Sequence, residues 1–289
     1  MVLSSFQISL IAFEILSFAI GALLLARFLN LPGFKPMGSP SGKLGYWPME
    51  GFEVALLTVL IFLLAIVSQG ILGYFFGAAV KIASDRKGLE LVLNGFATHG
   101  GGLLAWPLFY FMRRRLFASY NATPPASTSP EPIRARWTQA LLGGLVTFLI
   151  VFAVIAVVSA GWNGLLNLLG IPAEAQELIA IFKATKSPLL LTGMFFVACV
   201  LAPINEELLF RRGLYHFFRQ RFGRIFALVV SASLFALLHG NMAGVLPLAV
   251  LGVILALAYE RTGDIRVPII AHSLFNLNTL VILLAGLAE

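Results

Sequence analysis

Charge is what this sequence has least of. Only 11% of its 289 residues are Asp, Glu, Lys or Arg, where soluble domains carry about a quarter. Apolar residues make up 59%, and the mean hydropathy is +0.93. A chain so poor in charge cannot clothe a water-facing surface, which excludes an ordinary soluble domain. Cysteine is almost absent: Cys199 stands alone in an apolar stretch. No intrachain disulfide can form, and a buried structural thiol is the reading. The chain has no His-Glu-x-x-His zinc helix and no Gly-x-Ser-x-Gly turn. It therefore shows neither a thermolysin-like metal site nor a serine-hydrolase elbow. No basic stretch precedes the first apolar run, Phe6 to Phe28, so a spanning helix is expected there rather than a cleavable signal.

What remains is a set of long apolar runs. Eight candidate spans are expected, at about 6–28, 52–78, 89–112, 139–160, 188–218, 225–241, 244–260 and 267–286. Continuous runs of this length predict an all-α, polytopic transmembrane helical bundle. A β-barrel would alternate instead. Gly70, Gly73 and Gly77 in the second run suit a bend or a close helix approach. The stretch from Asn121 to Pro132 is rich in Pro, Ser, Thr and Ala and reads as a loop. The expected organisation is an N-terminal three-span region (1–120), a linker loop on the cytoplasmic side (121–138) and a C-terminal five-span region (139–289). Pro172, Glu174 and Glu177 mark a helix start, predicting a short interfacial helix before Lys186.

The net charge of +7 does not imply nucleic acid. The basic residues gather at the ends of apolar runs, as membrane topology requires. Two clusters, Arg113 to Arg136 and Arg211 to Arg224, are expected on the cytoplasmic side. Both termini then lie outside, in a bacterial inner or plasma membrane.

Three stretches break the apolar pattern. They are Glu206-Glu207-Leu208-Leu209-Phe210-Arg211, Phe235-Ala236-Leu237-Leu238-His239 and His272-Ser273-Leu274-Phe275-Asn276. Charged groups at membrane depth cost about 3 kcal/mol each. Residues four apart share a helix face, so Glu207 and Arg211 are expected to pair, in a structural or orienting role. Glu206 is left over, and an unpaired membrane carboxylate needs a proton or a function. It is the candidate general base. Glu206 and His239 both lie about 20 Å along a helix from the basic turn Arg219 to Arg224. Equal depth lets a carboxylate and an imidazole meet over one water. His272 and Asn276 also share a face, as a buried hydrogen-bonded couple or as donors to an oxyanion. His272 follows Arg266 by about 9 Å of helix, so it is expected to lie shallower than the other two. Glu206, His239 and His272 could hold zinc with an open fourth position, or act on water without tight ligation. His99-Gly100-Gly101-Gly102 is read as close helix packing, and His216 as an interfacial helix end.

In order, these stretches follow the pattern Glu-Glu-x-x-x-Arg, Phe-x-x-x-His, His-x-x-x-Asn. The chain resembles the CPBP family: the type II CAAX prenyl endopeptidases and their Abi-like bacterial relatives in bacteriocin processing and immunity. The resemblance covers about residues 188–286. It implies an intramembrane endopeptidase with a chamber open toward the cytoplasm. By that likeness Glu206 and His239 activate water, while His272 and Asn276 support the oxyanion. The implied partners are membrane lipid and a protein or peptide substrate, lipid-modified in the CAAX case. The family is labelled a metalloprotease in some accounts and a glutamate-dependent one in others. The rival classes are a non-catalytic scaffold or immunity protein, and a proton-coupled transporter. A transporter would favour internal repeats, and none is evident.

Overall fold

The computed structural model describes residues 3–29, 44–45, 49–116, 137–172 and 177–287. Twelve α-helices run through them: α1 Ser5–Phe28, α2 Gly51–Ile82, α3 Arg86–Gly95, α4 Gly101–Leu116, α5 Trp137–Leu168, α6 Glu177–Ala184, α7 Pro188–Phe196, α8 Ala202–Glu207, α9 His216–Arg221, α10 Arg224–Leu238, α11 Val245–Thr262 and α12 Arg266–Leu284. No strand occurs among the described residues. The protein is an all-α, multi-pass membrane bundle, as its composition requires.

Among the described residues six helices are long and apolar enough to cross a membrane: Ser5–Phe28, Gly51–Ile82, Trp137–Leu168, Pro188–Arg221, Met242–Thr262 and Arg266–Leu284. The expectation of eight is therefore refined. The run at 225–241 forms a shorter apolar helix, Arg224–Leu238. The run at 89–112 is α3 and α4 joined through a π-wound turn, Phe96–Gly100, and its interior carries Asn94, Thr98 and His99. Most of the expected linker, residues 121–136, lies outside the described residues. So do residues 173–176 at the expected start of the interfacial helix; α6 begins at Glu177.

Because lipid is as apolar as the core, these helices expose large side chains outward, among them Phe75, Leu142, Val157 and Ile225. The main core lies where α2, α4, α5, α10, α11 and α12 meet and includes Leu57, Phe109, Val151, Phe235, Leu255 and Ala271. Helix α5 is central, packed by α1, α11 and α12. Gly223 turns the chain between α9 and α10 at φ 85°, a conformation a Cβ would strain. At that end Glu260 accepts from Arg219 at 2.9 Å and Arg224 at 2.8 Å, and from the Tyr215 hydroxyl at 3.1 Å. This network ties α9, α10 and α11 together and fixes one end of the hairpin formed by the Glu206 helix and α10, which carries the first two polar motifs.

Candidate active site

The helix bearing Glu206 is not uniformly α. Val197–Leu201 and Leu208–Tyr215 are π-wound and flank the short α8. Pro203 explains part of this. In the upstream π turn the Ala202 N–H reaches back five residues to the Val197 carbonyl. The next such bond would run from residue 203 to Ala198, but proline has no N–H. The Ala198 carbonyl is left open, and the Asn276 amide donates to it at 2.8 Å. Interrupted helices of this kind re-satisfy freed carbonyls with side chains from neighbouring helices. They are frequent at functional sites.

Glu207 points inward and is fully buried at 0% exposure, with Arg211 at 1% and His272 at 3%. Its Oε1 lies 3.0 Å from Arg211 Nη1 and 2.9 Å from His272 Nδ1. The pairing expected from the i, i+4 spacing is present, with His272 added to it. Arg211 also donates to the Gly252 carbonyl at 3.4 Å, and its guanidinium stacks 4.5 Å from the Phe235 ring centroid. A carboxylate can only accept, so the Nδ1 proton of His272 points to Glu207. Nε2 then faces Glu206, 3.8 Å from Oε2.

His239 reaches the same oxygen from the end of α10, with Nε2 4.0 Å from Glu206 Oε2. Its Nδ1 is 2.8 Å from the Phe235 carbonyl. A carbonyl also only accepts, so Nδ1 carries the proton and Nε2 presents a lone pair. Phe235 is fully buried, and its ring contacts His239 and His272 at 4.8 and 5.9 Å between centroids. The phenylalanine four residues before His239 thus packs against both imidazoles and Arg211. Glu206 Oε2 itself is buried without a hydrogen-bond partner.

The depth expectation for His272 is corrected: it meets Glu206 as closely as His239 does. That expectation assumed straight helices rising about 1.5 Å per residue. The π-wound segments break this assumption on the Glu206 helix and wind more residues into each turn. His216, expected at an interfacial helix end, is buried at 5% exposure, its Nε2 2.9 Å from the Gly45 carbonyl.

Glu206, His239 and His272 are the residues that would hold a zinc ion here. Two ligands each 2.0–2.2 Å from one tetrahedral ion would lie about 3.4 Å apart. The separations from Glu206 Oε2, 3.8 and 4.0 Å, are wider. Among the described residues no three His, Cys, Asp or Glu side chains gather closely enough to hold a metal. Each separation is of a size that one bridging water with legs of about 2.8 Å could span.

Two further polar residues on the neighbouring elements were not singled out from the sequence as site residues. Asn205 is buried at 6% with its Oδ1 unpartnered. It packs on Gly102, where an added Cβ would lie 2.7 Å from that oxygen. Gly102 therefore serves close packing, as read from the sequence. His99 lies within electrostatic reach of Glu206, His239 and His272, and its buried Nδ1 also lacks a partner. Both residues stand inside apolar runs, which was the available signal.

Residues 188–278 match the family described as type II CAAX prenyl endopeptidase Rce1-like. All three motifs fall inside that stretch, so the resemblance read from them holds there. A protein of Bacillus subtilis (strain 168) named "Putative membrane peptidase YdiL" is 30% identical over 124 residues, 42% of this chain and 50% of that protein. The chain thus spans about half the length of this curated relative. No solved structure matches the chain.

Proposed function

We propose that the protein is an intramembrane endopeptidase that hydrolyses a peptide bond near the membrane surface with a water activated by Glu206 and His239. One observation carries this reading: the buried, unpartnered Oε2 of Glu206 faces two imidazole nitrogens at 3.8 and 4.0 Å. A scaffold has no use for such an arrangement, since each unpaired buried polar atom costs about 1–3 kcal/mol. The family match over residues 188–278 and the relative's name support the same reaction class.

In this mechanism a water sits between Glu206 Oε2 and His239 Nε2. Glu206 takes one proton as the oxygen attacks the scissile carbonyl carbon. His239, with its proton held on Nδ1 by Phe235, accepts the water's other hydrogen bond and aims the attacking lone pair. In its doubly protonated form His272 keeps Nδ1–H on Glu207 and donates from Nε2 to the oxyanion. Asn276 spends one N–H on Ala198 and has a second to offer. As the C–N bond breaks, Glu206 returns its proton to the leaving amine. Glu207 and Arg211 hold His272 in place and touch no reacting atom. The arrangement suits water activation without tight metal ligation. Substrates of the CAAX type and bacteriocin-like peptides both fall within this reaction class.

The test is proteolysis by the purified protein in detergent. Wild type is expected to cleave, Glu206→Ala to fail, and a chelator to leave wild type active. Equal cleavage by wild type and Glu206→Ala would remove the assignment.

A further inference from the structure

The π-wound turn Phe96–Gly100 lies in the N-terminal part of the chain, outside the family match, yet it packs on Val197–Leu201 and on α8. Between these elements is a cavity of about 220 Å³. Its walls are apolar: Leu91, Phe182, Met194 and Leu280. Its polar lining is Asn94, Thr98 and His99. Thr98 already accepts from Gln69 at 2.9 Å, whereas His99 Nδ1 is buried and unpartnered.

The cavity adjoins the candidate active site at two points. Ala198 lines it, and the carbonyl of that residue holds Asn276. His99 lines it too, and the same imidazole lies within electrostatic reach of Glu206, His239 and His272. Close packing fixes the relation, because an added Cβ on Gly95 would lie 2.5 Å from Val197. The space is too small for a drug-sized ligand, whose pockets run from about 300 Å³ upward, and suits one large side chain.

A peptide entering this region brings an apolar side chain and a polar backbone. In a membrane the backbone groups need partners, and burying one without a partner costs several kcal/mol. Apolar walls beside three polar side chains answer both needs. Resting on the peptidase reading, we propose that this cavity is the specificity pocket of the enzyme. It receives an apolar side chain flanking the scissile bond, and His99 is a positioning residue that hydrogen-bonds the adjoining peptide backbone. The N-terminal helices, which lie outside the family match, would then contribute to substrate choice, while the matched C-terminal helices carry the chemistry.

The experiment digests a mixture of proteome-derived peptides with purified protein and reads the cleavage sites by mass spectrometry, with Glu206→Gln as the blank. Wild type should select large apolar residues at one position beside the cut. Leu91→Trp narrows the cavity and should cut cleavage beside Leu, Met and Phe by about tenfold or more relative to Ala and Val, the scale on which pocket volume discriminates. In parallel, His99→Leu should raise KM more than it lowers kcat on the best peptide, and His99→Gln, which keeps a donor and an acceptor, should recover much of the loss. A folded Leu91→Trp with the wild-type cleavage profile overturns the pocket and leaves the peptidase standing. Should Leu91→Trp fail to fold, the His99 pair decides: equal KM in wild type and His99→Leu overturns the proposal. No cleavage by wild type overturns both the pocket and the peptidase reading.

Discussion

The carboxylate of Glu207 lies 2.9 Å from the Nδ1 of His272, two residues 65 positions apart that are both almost fully buried. That contact decides which nitrogen of His272 faces the Glu206 side. The same carboxylate oxygen meets Arg211 at 3.0 Å, so Arg211, Glu207 and His272 form one buried unit. Adjacent glutamates thus differ in their partners. Glu207 Oε1 is in direct contact with a cation and an imidazole, while Glu206 Oε2 stands 3.8 and 4.0 Å from two imidazole nitrogens.

The first expected outcome concerns Glu206. Glu206→Gln keeps the shape but cannot take a proton from water. Peptidase activity should fall by about 10²–10⁴-fold, the usual contribution of a positioned base. Insertion and thermal stability should stay near wild type, because no partner is lost. Turnover of the Gln variant close to wild type would show that the base lies elsewhere.

Much of this was legible in the chain because spacing on a helix is simple arithmetic. Glu207 and Arg211 are four apart and meet, and His239 comes within 4.0 Å of Glu206, although the π winding between Glu206 and Arg219 means that a straight-helix depth count does not by itself account for that meeting. His272 was misplaced because π winding leaves no clear trace in composition, and it alters both rise and facing. His99 was read as a packing residue for a related reason. Its neighbours Gly101 and Gly102 do serve packing, with Ala65 and Asn205 respectively close against them. A histidine inside an apolar run is a signal of some role, but nothing in the sequence around His99 names its partners, which lie more than a hundred residues away.

A second outcome concerns stability at the buried pair. Arg211→Ala leaves Glu207 charged in a low-dielectric interior and removes the guanidinium from the Phe235 face. A loss of about 3–5 kcal/mol is expected for breaking such a pair from one side, read as a large drop in melting temperature in detergent. Replacing both partners, as Glu207→Leu with Arg211→Met, should recover much of that stability. It should not recover activity, because His272 would still lack the acceptor on Nδ1. An Arg211→Ala protein as stable as wild type but inactive would instead place Arg211 on the substrate.

The third outcome concerns metal. Glu206 Oε2 stands 3.8 and 4.0 Å from the two imidazole nitrogens, beyond the spacing of ligands on one tetrahedral zinc. Prolonged dialysis against a chelator should leave the peptidase active, and elemental analysis of active protein should find well under one zinc per chain. One tightly held zinc, with activity lost on its removal and restored on its return, would reverse this reading and require the three side chains to close inward on the ion.

The last outcome separates two roles for Asn276. One is structural: its amide satisfies the Ala198 carbonyl at 2.8 Å, which Pro203 cannot serve because it has no N–H. The other is catalytic, through the second N–H toward an oxyanion. Asn276→Ala removes both, so the single variant cannot tell them apart. It should lose stability by about 1–3 kcal/mol, the cost of an unpaired buried carbonyl, together with activity. Pro203→Ala supplies a backbone N–H that can reach the Ala198 carbonyl in its place. If the role is structural, Pro203→Ala combined with Asn276→Ala should regain both stability and turnover relative to Asn276→Ala alone. If Asn276 also stabilises the oxyanion, stability should return while kcat stays depressed by about 10²–10³-fold, the usual loss for one such donor. The second pattern is the expected one, because His272 offers only Nε2 to a developing negative charge and oxyanion sites commonly use more than one donor. Full recovery of kcat in the double variant would confine Asn276 to holding the π-wound helix in shape.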